Sequence, residues 1–419
     1  MKKIISVLLF IPLFAFSQAY QKKIRVLFLG NSYTYVNNLP NLIAGIALQG
    51  GDSLIFDSNC PGGYTFNNHF TDLTSLNKIK AGTWNYVVLQ AQSQEPSFSP
   101  GQVGAQTFPY ALKLDSVIKK YNPCATTVFY ETWGRKNGDA LNCGSYPPVC
   151  TYLGMQTRLR QSYKSFADST KGIMVPAGEC FRSSISYSPA LELYQADESH
   201  PTLEGSYLTA CAFYETLFQR SVLSNTYNPG IATPTLSYLQ QVAHNVVRDS
   251  VGIWNLGIYL PWADFTVVAL NSSSFQFSIS TAPMSAKWFF GDGASSQLLN
   301  PSHTYLNSGT YTVSHVVYNA CKRDSVSKNI VALSTVGLQK TSSPSGIGFY
   351  PNPTTDVLHI IVPKVSGTNY TISITDLGGS MLFFGTNIER IELKDVEKGC
   401  YFIQIQTETD ELRSILIKN

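Results

Sequence analysis

No block of basic residues occurs anywhere in this 419-residue chain, and charge of either sign is scarce: Asp, Glu, Lys and Arg make up 14% of it, for a net charge of +3. Lysine pairs such as Lys22-Lys23 and Lys119-Lys120 are its densest cationic stretches, and an isolated pair of this kind is ordinary solvated surface. The electrostatic footprint of a nucleic-acid binder is missing, so no nucleic-acid partner is expected. Metal-binding spacing is missing as well. The eight cysteines, at 60, 124, 143, 150, 180, 211, 321 and 400, form no Cys-x-x-Cys pair and no Cys/His cluster; they read as structural, with no metal and no cofactor expected. No apolar run reaches the roughly 20 residues of a spanning helix, which argues against a transmembrane anchor. Histidine is short too, and before residue 260 only His69, His200 and His244 are available as a general base.

What is present begins with an export pattern. Lys2 and Lys3 precede an apolar run from Ile4 to Phe16, with small residues Ala15 and Ser17 placed for cleavage before Gln18. Residues 1–17 are therefore expected to be a signal peptide. No Cys follows the run until Cys60, which speaks against a lipoprotein anchor. Export permits disulfides. Cys143 and Cys150 flank the turn-rich Gly-Ser-Tyr-Pro-Pro-Val and are placed for a local bridge, whereas Cys321 and Cys400, in different C-terminal segments, are expected to stay unpaired.

Between residues 18 and 260 apolar strand-like runs alternate with helical periodicity. The runs are 24–30, 53–59, 84–90, 126–133 and 172–178, and their continuous apolar character suits strands buried on both faces of a parallel sheet. The first helical stretch, in 38–51, has Leu39, Leu42, Ile43 and Ile46 on one face, Asn38 as a candidate cap, Pro40 at an early helical position and Gly50 as a stop. Others are expected near 104–121, 155–169, 202–221 and 235–254. The fold class is α/β: a doubly wound, flavodoxin-like parallel sheet of five strands, with ligands beyond the carboxyl ends of its strands. From 264 to 334 the texture turns to alternating Ser, Thr, Val and Tyr with Gly/Asn turns, which indicates a β module. A Ser/Thr/Pro/Gly-rich linker at 335–347 and a second β module at 348–419 complete the chain.

Chemistry is concentrated where the first strand ends, in Gly30-Asn31-Ser32. From position alone, Ser32 or Thr34 serves as a helix cap as readily as Ser32 serves as a nucleophile. A phosphate loop is the weaker reading, because the segment has neither Walker spacing nor the three glycines of a dinucleotide turn. As base, His69 and His244 suit the surface or an interface better than catalysis. His200 is different, since Asp197 three residues ahead can hold its Nδ1 and leave Nε2 to face a hydroxyl. Oxyanion donors are available in Gly62 and Gly63 after the second strand, free of any Cβ. Gln90, Gln92 and Gln94 close the third strand and share a face while it lasts.

Gly30-Asn31-Ser32, the glycines after the second strand, the amide-bearing loop after the third and Asp197-x-x-His200 together resemble the SGNH/GDSL hydrolases, over residues 18–260. That resemblance implies Ser32 as nucleophile, His200 as base and Asp197 as its orienting partner. It also implies an oxyanion hole from the Ser32 N–H, a Gly62 or Gly63 N–H and a side-chain amide. Where that family offers Gly-x-Asn, this chain has glutamines, leaving the third donor open between Gln92 and Gln94. Asn31 belongs to the turn that presents Ser32. Beyond the fourth strand, Trp133 and Arg135 are candidates to frame a substrate. The base must be neutral, so activity is expected to fall as pH drops through the imidazole range, about 6.5 for a free side chain.

Residues 288–317, with Gly-Asp-Gly and His-Thr-Tyr…Gly-Thr-Tyr-Thr-Val, resemble the PKD domain, an immunoglobulin-like sandwich in which Gly291 and Gly293 shape a turn and Tyr305 and Tyr311 enter the core. The tail, opening on Tyr350-Pro-Asn-Pro, resembles the C-terminal sorting domain of the type IX secretion system. It implies that machinery as a partner and a secreted or cell-surface location. The expected function is a secreted ester hydrolase working through an acyl-enzyme on a small-molecule or polysaccharide ester, removing acetyl or other short acyl groups. The alternatives are a catalytically silent glycan-binding adhesin and a lipase or thioesterase on longer chains.

Overall fold

The computed structural model of the chain describes residues 21–279, 285–333, 346–363, 369–376, 379–408 and 410–419. The expected signal peptide and nearly all of the expected linker lie outside the described residues. Val26, Leu27, Phe28 and Leu29 are consecutive and all fully buried in β1 (Lys23–Leu29), so both faces of that strand are covered. After it come α1 (Ser32–Tyr35), α2 (Leu39–Gln49), β2 (Ser53–Asn59), α3 (Phe66–Thr71), α4 (Leu73–Lys80) and β3 (Tyr86–Leu89). Next are α5 (Pro100–Gln106), α6 (Phe108–Tyr121), β4 (Thr126–Tyr130), α7 (Tyr152–Thr170), β5 (Ile173–Val175), α8 (Ala177–Tyr187), α9 (Leu203–Phe218) and α10 (Thr233–Arg248).

The strands form one five-stranded sheet in the order β2-β1-β3-β4-β5, with every neighbouring pair parallel. The chain leaves β1 toward β2 on one side and returns to build β3, β4 and β5 on the other. Right-handed crossovers in opposite directions place helices on opposite faces. One group forms around α9, which packs with α2, α8 and α10; the other forms around α6, which packs with α3, α4, α5 and α7. This is the doubly wound class, and its strand order reverses at the carboxyl end of β1, where Ser32 lies. Every residue of α9 from Gly205 to Phe218 is buried, with the one charge among them, Glu215, paired to His244 and Arg248.

Three local expectations change. The helix expected near 104–121 is two helices, because Pro109 lacks an N–H and restarts the chain as α6 at Phe108. Asn38 does not cap α2 with its side chain; it precedes the helix in the left-handed region. Cys321 is not unpaired: it is disulfide-bonded to Cys124, 197 positions away. The Cys143–Cys150 bridge forms as expected, and Cys400 is an exposed free thiol.

The chain divides into two compact units: one runs to Phe265 and takes in 279–287 and 315–326, and the other takes 266–278, 288–314 and 327–419. The Cys124–Cys321 bridge lies within the first. Of the C-terminal strands, β6 (Phe265–Ala269), β7 (Ser274–Ile279), β8 (Ser285–Phe289), β9 (Ser295–Ser296), β10 (Ser302–Thr304), β11 (Gly309–Tyr318) and β12 (Arg323–Ala332) form sheets of three and four strands. Gly291 and Gly293 have φ of 87° and 96°, as the turn there requires, and Tyr305 stacks on Tyr311. The tail repeats a three-plus-four arrangement: β13 (Gly348–Tyr350), β14 (Val357–Ile361) and β17 (Arg390–Glu392) make one sheet. The other holds β15 (Tyr370–Thr375), β16 (Met381–Thr386), β18 (Gly399–Thr407) and β19 (Glu411–Lys418). Tyr401, Ile403 and Ile405 alternate inward along β18. Among the described residues, no helix is long and apolar enough to cross a membrane.

Candidate active site

The site starts at the turn out of β1. A Cβ on Gly30 would lie 2.5 Å from the Thr34 hydroxyl and 2.7 Å from Gln90 Oε1, so only glycine fits there. Asn31 is buried and fully used: Oδ1 accepts from the Tyr33 N–H at 3.2 Å, capping α1. Its Nδ2 donates to the carbonyls of Tyr64 at 3.1 Å and Ala91 at 3.3 Å, tying together the loops that follow β2 and β3. Asn31 therefore builds the turn, and Ser32, half-buried, is presented as the first residue of α1.

His200 arrives from the loop before α9, 168 positions later, with its Nε2 2.8 Å from Ser32 Oγ. Its Nδ1 is hydrogen-bonded to Asp197 Oδ2. The other oxygen of Asp197 accepts from the backbone N–H groups of His200 at 2.9 Å and Ser199 at 3.1 Å, so one carboxylate folds the loop and orients the ring. Partial burial works to raise the Asp197 pKa. The bonds from the His200 ring, the His200 N–H and the Ser199 N–H outweigh it and hold the carboxyl below the usual range. Asp197 thus stays ionised and fixes the tautomer that leaves the Nε2 lone pair facing the serine hydroxyl.

Aromatic packing anchors this loop. The Tyr33 hydroxyl lies 2.6 Å from Ser199 Oγ, and its ring meets the His200 ring edge-on at 5.5 Å. Trp133 stacks on Tyr33 at 4.8 Å and on Phe181 at 4.0 Å, and its Nε1–H donates to the Ser199 carbonyl at 3.0 Å. Trp133 is 0% exposed, which corrects its expected role: a ring sandwiched on both faces has none left for a substrate. Asn37, in the left-handed region at φ 53°, reaches the Pro201 and Thr202 carbonyls and Ser206 Oγ with its amide. Asn tolerates that backbone better than most residues.

Of the remaining expected residues, Gln92, Gln94 and Arg135 have other hydrogen-bond and ion-pair partners. Gly62 and Gly63 are exposed, Gly63 at φ 71°, in the turn closed by the Tyr64 N–H on the Pro61 carbonyl. Gln92 donates to Gln94 Oε1 at 3.0 Å and accepts from the Gln94 and Glu95 N–H groups. Gln94 donates to Asp139 Oδ2 at 2.9 Å. Arg135, half-buried, has Nη1 3.8 Å from Asp139 Oδ1.

His69, expected at the surface or an interface, is buried inside the domain. Its Nε2 lies 2.9 Å from the Gly30 carbonyl and its Nδ1 2.8 Å from Ser75 Oγ. Burial drives its pKa down to about 4, against the Gly30 hydrogen bond and the nearby Asp72 charge, so the ring is neutral near pH 7. Gln90 is buried too, its Oε1 accepting from the Asn31 N–H at 2.9 Å and the Thr34 hydroxyl at 3.0 Å. The Gly30 partner of His69 is 39 positions away, and the Asn31 and Thr34 partners of Gln90 are 59 and 56 away, so no local spacing marks these contacts. His244 is half-buried against Glu215, at 2.8 Å.

Residues 348–419 match the secretion system C-terminal sorting domain, and residues 263–332 match the PKD domain. No curated protein matches the chain in sequence. Among solved structures, a DUF4886 family protein from Bacteroides uniformis is similar at 20% identity, over 54% of this chain and 95% of that one, with a TM-score of 0.47. A proposed SGNH hydrolase from Slackia heliotrinireducens is similar at 24% identity, over 47% of this chain and 100% of that one, with a TM-score of 0.40. An acetyl-xylooligosaccharide esterase from Geobacillus is similar at 15% identity, over 46% and 94%, with a TM-score of 0.33. The chain carries a doubly wound α/β domain followed by a PKD domain and a secretion-system sorting domain.

Proposed function

We propose that this chain is an exported serine ester hydrolase with Ser32 as nucleophile. The observation that carries the reading is the Ser32–His200–Asp197 arrangement, with 2.8 Å between Ser32 Oγ and His200 Nε2. His200 takes the hydroxyl proton as Ser32 attacks the ester carbonyl. The imidazolium, stabilised by Asp197, returns that proton to the departing alkoxide. Water then repeats the sequence on the acyl-enzyme and releases the carboxylic acid. The developing oxyanion would be met by the Ser32 N–H, a Gly62 or Gly63 N–H and an amide of Gln92 or Gln94, each donor worth about 3–4 kcal/mol to the transition state.

Ser32 and His200 are half-exposed, which suits a small acyl group carried on a bulky alcohol, such as an acetyl ester on a polysaccharide. Arg135 is the residue proposed to contact that alcohol. The sorting domain supports export through the type IX secretion system, to the cell surface or beyond it. The test is turnover of short- and long-chain aryl esters by wild type beside Ser32→Ala and His200→Ala. Activity lost in both variants, with acetyl preferred, supports the reading. An inactive wild type, or an equally active Ser32→Ala, refutes it, and preference for long chains would favour a lipase or thioesterase.

A further inference from the structure

The peptide unit between Gly30 and Asn31 is held at both of its polar ends. Its carbonyl oxygen, on Gly30, lies 2.9 Å from His69 Nε2, and its N–H, on Asn31, donates to Gln90 Oε1 at 2.9 Å. This plane immediately precedes the one that carries the Ser32 N–H, so its tilt sets where that N–H and the serine side chain point.

The hydrogen bonds around His69 also fix which ring nitrogen holds the proton. A carbonyl oxygen only accepts, so Nε2 must carry a hydrogen, and in the neutral ring Nδ1 is then an acceptor. Ser75 Oγ, 2.8 Å from Nδ1, is the donor facing it. The Ser75 oxygen receives in turn from Asn59 Nδ2 at 2.8 Å, whose second hydrogen goes to Asp72 Oδ2 at 2.6 Å. Asp72 also accepts from the Ser75 N–H at 3.0 Å and caps α4. The Ser75 hydroxyl has one hydrogen and two acceptors in reach, His69 Nδ1 at 2.8 Å and Asp72 Oδ2 at 3.0 Å. With Nε2 protonated toward the Gly30 carbonyl, Nδ1 is the acceptor that needs it, while Asp72 Oδ2 is also served by Asn59 and the Ser75 N–H. A buried network satisfied in this way is rigid.

We propose that His69 and Gln90 are positioning residues that clamp the Gly30–Asn31 peptide plane from opposite ends and thereby aim the Ser32 N–H and hydroxyl. The proposal rests on the esterase reading for its kinetic test, but not for its structural one. His69 has no contact with the reacting atoms; its effect passes through the backbone of the turn.

The kinetic test compares His69→Leu with His69→Gln in the full chain. The amide nitrogen of glutamine reaches as far as imidazole Nε2 and can donate to the Gly30 carbonyl, whereas leucine cannot. His69→Leu should lower kcat at least about 100-fold with KM changed by less than about threefold. His69→Gln should recover at least tenfold of the loss. Unchanged kcat in His69→Leu, or no recovery in His69→Gln, overturns the clamp. Should His69→Leu fail to fold, Ser75→Ala decides: it removes the hydroxyl that holds Nδ1 and keeps the ring against the Gly30 carbonyl. It should lower kcat at least tenfold, and unchanged kcat overturns the proposal.

The structural test needs no activity. Nitrogen-15 NMR of the histidine-labelled full chain at pH 7, with the His69 signals identified by their loss in His69→Gln, should show a protonated Nε2 and a bare Nδ1. The opposite tautomer overturns the proposal. A wild type without esterase activity, but with this tautomer, refutes the esterase reading and leaves the clamp standing.

Discussion

His200 Nε2 lies 2.8 Å from Ser32 Oγ although 168 residues separate them. The doubly wound sheet brings them together: β1 ends at the point where the strand order reverses, and the loop before α9 returns to that point. Asp197, three residues before His200, then orients the ring at no cost in long-range contacts.

Replacing Asp197 with Asn keeps the shape of the loop but supplies an amide where the ring needs an acceptor. The expected result is a fall in kcat on the order of 10³–10⁴-fold with KM nearly unchanged, measured on an aryl acetate. Because its own hydrogen bonds hold the Asp197 carboxyl below the usual range, any activity lost on mild acidification should not follow protonation of Asp197.

His69 makes stability depend on pH. Its folded pKa, about 4, lies below the ordinary imidazole value near 6.5. Between those values the unfolded chain binds the extra proton, so stability is full above about 6.5 and declines as pH falls toward 4, by up to about 3 kcal/mol. The groups facing the ring are the Gly30 carbonyl, Ser75, the Tyr64 ring and, through Ser75, Asp72. Urea midpoints at pH 7, 5.5 and 4 should show a shallower slope in His69→Gln than in wild type. Equal slopes would contradict the assignment.

Trp133 tests positioning against substrate contact. In Trp133→Phe the stack between Tyr33 and Phe181 survives while the donor to the Ser199 carbonyl is lost. KM should stay within about twofold and kcat should fall about tenfold, the scale of one lost hydrogen bond. Trp133→Ala, by contrast, opens a cavity in the core and should cost about 3–5 kcal/mol of stability in thermal or urea unfolding.

The central strands were legible as apolar runs such as 26–29 and Tyr86–Leu89. The expected 53–59 coincides with β2, an edge strand that is only half-buried and apolar only at Leu54, Ile55 and Phe56. The meeting of Ser32, His200 and Asp197 was legible because a serine at a strand end and an Asp-x-x-His are short motifs. What could not be read is what depends on partners distant in sequence. Trp133 reads as a platform until Tyr33 and Phe181 close on its two faces. His69 reads as a surface or interface residue until Gly30, 39 positions earlier, accepts from it. Helices α3 and α4, of six and eight residues, carry too few turns to show a period, although the Thr65/Asn68 capping box and Asp72 mark their starts. Cys321 has its partner 197 residues away, beyond any spacing rule.

That disulfide should matter to stability and not to chemistry. Closing a loop between positions 197 apart removes chain entropy worth about 5 kcal/mol in the simplest estimate, and measured bridges give about 2–4. Cys124 precedes β4, at the end of the sheet away from Ser32. The double variant Cys124→Ser/Cys321→Ser should unfold at a clearly lower temperature yet keep wild-type kcat at 25 °C. A lost kcat with unchanged thermal stability would contradict this placement.

The most direct measurement of the central claim is covalent capture. The full chain treated with a fluorophosphonate should carry one adduct, mapped by peptide mass to Ser32, formed far more slowly in His200→Ala and absent from Ser32→Ala. No adduct in wild type, or labelling at an unchanged rate in Ser32→Ala, would show that Ser32 is not the nucleophile.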